Sequence, residues 1–188
     1  MTNRTKNYTA FYVAEPFNES NLGANQKMDF CYYNLLKAWK GRDSSFPFVN
    51  AHEATYNVRD GSKWETLKQR LHERLNVSKN IVLFLSSETK NSNALREEIE
   101  YGISKKELPV IVIYPEYSEK ADLLNKDTTD LKPEIKALWN KLPKFRDLMG
   151  TVPTLHIPLK KDLIRSALID QDFTVQNKCN NNYYWYKL

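Results

Sequence analysis

Two short, almost uninterrupted runs of β-branched and aromatic residues constrain most strongly how this chain can fold. They are Asn80–Leu85 (NIVLFL) and Pro109–Tyr114 (PVIVIY). A strand that is apolar on both of its faces is typical of a parallel sheet covered by helices on both sides. The two runs therefore predict buried, neighbouring strands of an α/β domain.

Three further apolar runs, Tyr8–Ala14, Phe46–Asn50 and Thr154–Ile157, are each the length of one strand. Amphipathic segments with a helical period lie between and after the runs, at residues 25–40, 62–76, 94–105, 133–149 and 159–169. Strands that alternate with helices at intervals of about 35 residues are typical of right-handed βαβ crossovers. The sequence therefore predicts a three-layer, flavodoxin-like fold, with a five-stranded parallel sheet in the order 2-1-3-4-5 and helices on both faces.

The length and composition favour a single domain over residues 1–188. The chain has 188 residues and 41% hydrophobic content, which is enough for one sizeable core. Residues 115–132 are polar and charged, and we expect them to form a surface excursion. Residues 171–188 end in an aromatic cluster, so we expect a C-terminal extension that packs on the domain.

The composition also argues against several kinds of partner. The net charge is +5 and the basic residues are scattered, so we expect no nucleic acid. No apolar run is long enough for a membrane span or a signal peptide, which favours a cytoplasmic protein. Two cysteines and three dispersed histidines predict neither a disulfide framework nor a metal site.

In a sheet of this type, ligands bind beyond the carboxyl ends of the strands. Here that edge is formed by residues 14–21, 50–61 and 86–93, which are polar and long for such connections. None of them carries the glycine pattern of a dinucleotide or phosphate loop, or the serine motif of an acyl-transfer enzyme.

The remaining candidate for chemistry is a carboxylate in the helix that follows the third run. Leu95 and Ile99 define its apolar face, and at 100° per residue Glu97 points away from that face. Glu100 lies beyond the far border of the face, and only Glu98 lies at the border near the ligand-binding edge. Glu98 is compatible with a solvated helix charge or with a carboxylate that binds ribose hydroxyls and stabilises positive charge at an anomeric carbon.

A resemblance to a known family rests on five features in order: the first strand Ala10–Ala14, the helix Trp64–Leu75 entered through Trp64-Glu65, Ser87-x-Thr89, Glu98-Ile99 and the strand Pro109–Tyr114. The stretch 81–99 resembles the third strand and third helix of TIR domains. More closely, the chain is similar to the bacterial TIR-like family that includes the TIR-like subunit of Thoeris antiphage defence systems. The resemblance covers residues 7–115.

This resemblance implies a signalling hydrolase that cleaves or cyclises NAD to an ADP-ribose-type messenger, with Glu98 as the catalytic glutamate. NAD would be a substrate, with no separate cofactor, and protein partners or self-association would carry the signal. By their positions, the residues expected to line the pocket are Phe17, Asn50, His52 and Ser86. The rival hypothesis is a non-enzymatic TIR-like or receiver-like module that acts by protein association.

Overall fold

The computed structural model describes residues 3–10, 24–51, 64–126 and 130–185. A single parallel sheet runs through them in the order β1-β2-β3-β4-β5. Its strands are β1 (Lys6–Ala10), β2 (Ser78–Phe84), β3 (Val110–Tyr114), β4 (Thr154–Pro158) and β5 (Tyr183–Trp185). The α/β class with a parallel sheet is confirmed.

Helices separate the strands along the chain. They are α1 (Ala24–Arg42), α2 (Trp64–Asn76), α3 (Asn93–Ile99), α4 (Lys120–Leu123), α5 (Pro133–Leu138), α6 (Pro143–Leu148) and α7 (Lys161–Ile169). Proline at the first position of α6 divides the segment 133–149 into two helices, as its missing N–H requires. Among the described residues, no helix combines the length and the apolar character that a membrane span needs.

The alternation of side chains along β2 explains why both faces of the sheet are covered. Ile81 and Leu83 belong to a buried cluster that includes residues of α2, α3, α5 and α6. Val82 and Phe84 point to the opposite face and join a second cluster, to which α1 and α7 contribute. Successive side chains of a strand alternate between faces, so an apolar run without interruption needs helices on both.

The predicted strand order 2-1-3-4-5 is wrong. The segment Phe46–Asn50 forms no strand and makes only an isolated parallel bridge between Asn50 and Asn7, beside β1. Pro47 has no N–H to donate, and the Val49 N–H points to the side-chain oxygen of Asn7 at 3.4 Å. The segment therefore lies where the second strand was expected but cannot continue a ladder.

The strand β5, whose position in the sheet the sequence did not predict, forms the edge opposite β1. β5 pairs in parallel with β4, and the Thr154 N–H donates to the Asn182 carbonyl at 2.8 Å just before the paired residues. The ring of Tyr184 packs against Phe173 with centroids 5.8 Å apart.

The segment expected to be a surface excursion contains α4 and a bridge between Leu124 and Leu131, of which Leu131 is buried.

Candidate functional site

The three acids Glu97, Glu98 and Glu100, at the end of α3 and the start of the turn that follows it, have different surroundings. Glu98 faces the interior of the domain and is 2% exposed, whereas its place near the ligand-binding edge stays a prediction. Glu97 pairs with Lys68 and His72 of α2, at 3.4 and 2.7 Å. Glu100 lies at the surface and pairs with Lys144 of α6 at 3.3 Å.

Local interactions fix the start of α3 and hence the direction of Glu98. The Ser92 hydroxyl caps the helix by accepting the Leu95 N–H at 3.1 Å. Leu95 and Ile99 are buried against the sheet, and Glu98 lies beside them on the inward side. From Glu100 to Lys105 the helix continues as a π-helical turn, a local widening that often occurs near functional sites.

The carboxylate of Glu98 accepts a hydrogen bond from a buried tyrosine of β1. Tyr8 is fully buried, and its hydroxyl donates to Glu98 Oε1 at 2.6 Å. Burial raises the pKa of Tyr8 well above its ordinary value, and the adjacent Glu98 raises it further, whereas a hydrogen bond and the positive charge from Arg74 oppose this. Tyr8 therefore remains a protonated donor to the carboxylate at any physiological pH.

Arg74 is the third member of this group and comes from the last turn of α2. It is 7% exposed, and arginine side chains are seldom buried to this degree unless they have charged or polar partners. The side chains of Tyr8, Arg74 and Glu98 thus bring β1, α2 and α3 together around one buried carboxylate. The sequence analysis did not single out Tyr8 or Arg74. Arg74 carried a signal, because it lies one helical turn from Leu71 on the apolar face of α2.

Ser86 lies directly beyond β2 at the carboxyl edge of the sheet and is buried. Its N–H donates to Thr89 Oγ1 at 2.9 Å, and its hydroxyl accepts the Glu88 N–H at 3.3 Å. The next residue, Ser87, donates its N–H to the Glu116 carboxylate at 3.1 Å, which ties this loop to the loop after β3. Ser86 therefore stabilises the turn that leads into α3.

Asn50 does not lie next to Ser86. It forms a bridge with Asn7 of β1, and Asn7 is the cross-strand partner of Asn80 in β2. Ser86 follows Asn80 by six residues, about 20 Å along the strand direction at the usual rise per residue. The structure thus places Asn50 near Tyr8 and Ser86 at the far edge. Phe17 and His52 lie outside the described residues.

A groove of about 540 Å³ runs along the outer surface between α2 and α3. Its lining includes Lys68, His72, Glu97 and Tyr101, with the rings of His72 and Tyr101 stacked at 3.5 Å between centroids. Glu98 is not part of this lining, since it points to the other side of α3. Within the described ranges, no group of three or more acidic, histidine or cysteine side chains is arranged to hold a metal ion.

His156 lies inside the sheet, as a structural histidine would. It is 1% exposed, and its Nδ1 is 2.8 Å from the hydroxyl of Tyr114. That hydroxyl also accepts a hydrogen bond from Trp139 Nε1 at 2.9 Å. Burial lowers the pKa of His156 to about 3, so the ring is neutral in the folded protein.

A parallel sheet with helices on both faces, and an inward glutamate in the helix after β2, define a TIR-like α/β domain. The comparison with protein families agrees with this class. The family model described as Thoeris protein ThsB, TIR-like domain, matches residues 8–120, more than half of the chain. The chain belongs to this Thoeris TIR-like family. That membership indicates antiphage defence signalling, and residues 121–188 lie beyond the match.

Proposed function

We propose that this protein is an NAD-consuming signalling enzyme of antiphage defence, with Glu98 as its catalytic carboxylate. The observation that carries the proposal is the burial of Glu98, at 2% exposure, with a tyrosine donor 2.6 Å from Oε1. A carboxylate that is merely a solvated helix charge has no need of such an environment. Membership of the Thoeris TIR-like family supplies the second support.

The proposed reaction breaks the bond between nicotinamide and the adjoining ribose. The bonding electron pair leaves with nicotinamide, which departs as a neutral base, and positive charge develops at the anomeric carbon. An ionised Glu98 would hydrogen-bond the ribose hydroxyls and stabilise that charge. Attack by water releases ADP-ribose and a proton, whereas attack by a nucleophilic group of the same ADP-ribose unit gives a cyclic messenger and a proton.

The burial of Glu98 has a consequence for regulation of this reaction. A ribose can contact a carboxylate that is 2% exposed only after the groups that cover it have moved. We therefore expect low turnover by the isolated protein and a rise after activation by a phage-derived trigger or by self-association. Protein partners and a cytoplasmic location, where NAD is available, belong to the same proposal.

The experiment measures nicotinamide release from NAD by the purified protein, with and without lysate from phage-infected cells. Glu98→Gln keeps the size of the side chain and removes its charge, and we expect a loss of about 100-fold or more. Glu97→Gln is the matched control, because its carboxylate faces α2 and pairs with Lys68 and His72. Equal turnover by Glu98→Gln and wild type would exclude the assigned carboxylate.

The burial of Glu98 also fits a second function, a non-enzymatic module in which the Tyr8, Arg74 and Glu98 side chains only stabilise the fold. This function predicts no nicotinamide release by wild type under any condition. It also predicts that Glu98→Gln retains antiphage protection wherever the variant is stably folded. A plaque assay with Glu98→Gln and its control Glu97→Gln distinguishes the two functions.

A further inference from the structure

The hydroxyl group of Tyr8 contacts two buried side chains of this site, Glu98 and Arg74. We propose that Tyr8 is a positioning residue that holds the Glu98 carboxylate ionised and correctly oriented for the glycosidic reaction. The inference rests on the proposed function and assigns a role to a residue of β1 that does not itself contact the substrate.

The geometry gives the Tyr8 hydroxyl one direction of donation. A carboxylate accepts and cannot donate when it is ionised, and a guanidinium donates and cannot accept. The hydrogen bond from Arg74 therefore ends on the Tyr8 oxygen, and the Tyr8 proton is directed to Glu98 Oε1. The guanidinium polarises the phenol and makes it a stronger donor, because hydrogen bonds in series strengthen one another where the local dielectric constant is low.

The hydrogen bonds from Arg74 to Tyr8 and from Tyr8 to Glu98 act on Glu98 and not on the other acids near α3. Tyr8 is contributed by β1 and Arg74 by α2. Among the described residues, Lys68 and His72 of α2 pair with Glu97, and Lys144 of α6 pairs with Glu100. A donor to the charged form of a buried carboxyl favours ionisation, which opposes the effect of its burial.

A rigid attachment also explains how the carboxylate keeps its orientation. β1 is hydrogen-bonded to β2 along its length, from Lys6 to Ala10, so the Tyr8 backbone is fixed by the sheet. The Tyr8 ring is buried in the cluster that includes Leu71, Leu75 and Ile99, so its hydroxyl has little freedom. One carboxylate oxygen is thus anchored to the sheet rather than to the helix that carries it.

The test compares Tyr8→Phe with Tyr114→Phe, and measures the pH dependence of kcat/KM for nicotinamide release by the activated protein. Both variants remove one buried hydroxyl, but that of Tyr114 bonds Trp139 and His156 rather than Glu98. For Tyr8→Phe we expect kcat/KM near neutral pH to fall about 10- to 100-fold and the acidic limb to move up by about one to two pH units. The Tyr114→Phe profile should keep its acidic limb.

A second measurement is independent of turnover. Carbon-13 NMR of the glutamate carboxyl groups, with Glu98→Gln to assign the signal, follows the protonation of Glu98 without NAD. We expect the Glu98 signal to titrate at higher pH in Tyr8→Phe than in wild type. If Tyr8→Phe does not fold, Arg74→Gln should move the same signal in the same direction by a smaller amount.

These outcomes separate this inference from the function on which it rests. Absence of turnover by wild type would overturn the proposed reaction and its positioning residue, although an NMR shift would still establish the coupling of Tyr8 to Glu98. Turnover with an unchanged acidic limb and an unchanged NMR titration would overturn the role of Tyr8 alone. Higher turnover by Tyr8→Phe than by wild type without a trigger would also overturn this role. The hydrogen bond from Tyr8 would then restrain Glu98 instead of preparing it for the reaction.

Discussion

His156 makes the stability of this protein depend on pH in a way that can be worked out from its surroundings. The ring is 1% exposed between β3 and β5, and burial lowers its pKa from 6.5 to about 3. The Tyr114 hydroxyl lies 2.8 Å from His156 Nδ1 and accepts a hydrogen bond from Trp139 Nε1, which can only donate. Addition of a proton to the neutral ring would leave a buried charge beside these groups.

The sign of the effect follows from the two pKa values of this ring. As the pH falls below 6.5, the unfolded chain binds a proton on His156 before the folded protein does. The free energy of unfolding therefore falls by about 1.4 kcal/mol for each pH unit, until the folded ring also titrates near pH 3. Between pH 6.5 and pH 5 the loss due to His156 is about 2 kcal/mol.

Urea denaturation at several pH values between 7 and 5, followed by circular dichroism, measures this loss. His156→Gln should be less stable than wild type at pH 7 but should lose about 2 kcal/mol less between pH 6.5 and pH 5. His72→Gln is the matched control, because His72 is partly exposed and pairs with Glu97, and it should retain the His156 contribution to the slope. Parallel pH dependences for wild type and His156→Gln would show that His156 does not cause the loss.

Two further stability predictions follow from the core. Tyr114→Phe leaves the buried Trp139 Nε1 without its acceptor and should lower the free energy of unfolding by about 2–3 kcal/mol in urea denaturation; a change below about 0.5 kcal/mol would contradict this. Gly102→Ala would place a Cβ 2.6 Å from the Ile81 Cδ1 and should cost about 1–3 kcal/mol. Gly41→Ala meets nothing within 4 Å and should be neutral or raise stability by up to about 1 kcal/mol, so equal melting temperatures of the two variants would contradict the packing argument.

The parts of the fold that the sequence predicted correctly are those in which one local pattern determines the structure. β2 from Ile81 onward and the whole of β3 are apolar on both faces, which identifies them as interior strands. The inward direction of Glu98 is also a local property. Leu95 and Ile99 define the buried face of α3, and Glu98 follows Leu95 by three residues, which places it on the same side of the helix.

The parts that the sequence predicted wrongly, or missed, depend on contacts between distant residues. Phe46–Asn50 has the composition of a strand, but Pro47 and the side chain of Asn7 leave it with a single bridge. The sequence also gave no reason to choose β4 as the neighbour of the aromatic run Tyr183–Trp185.

The same limit applies to the site. Tyr8 and Glu98 are 90 residues apart in the chain, and only packing of α3 over β1 brings them together. Arg74 lies near the end of a helix, where cations are common, so its position one turn from Leu71 was its distinguishing signal.

The proposed catalysis depends on one side chain, and side-by-side assays of Glu98→Gln and Glu97→Gln test this assignment. Nicotinamide is quantified after incubation of each activated variant with NAD, once melting curves show that both are folded. We predict that the substitution at Glu98 lowers release by about 100-fold or more, while the neighbouring one leaves it within about twofold of wild type. Release at the wild-type rate by the Glu98 variant, or the same loss in both, would contradict it.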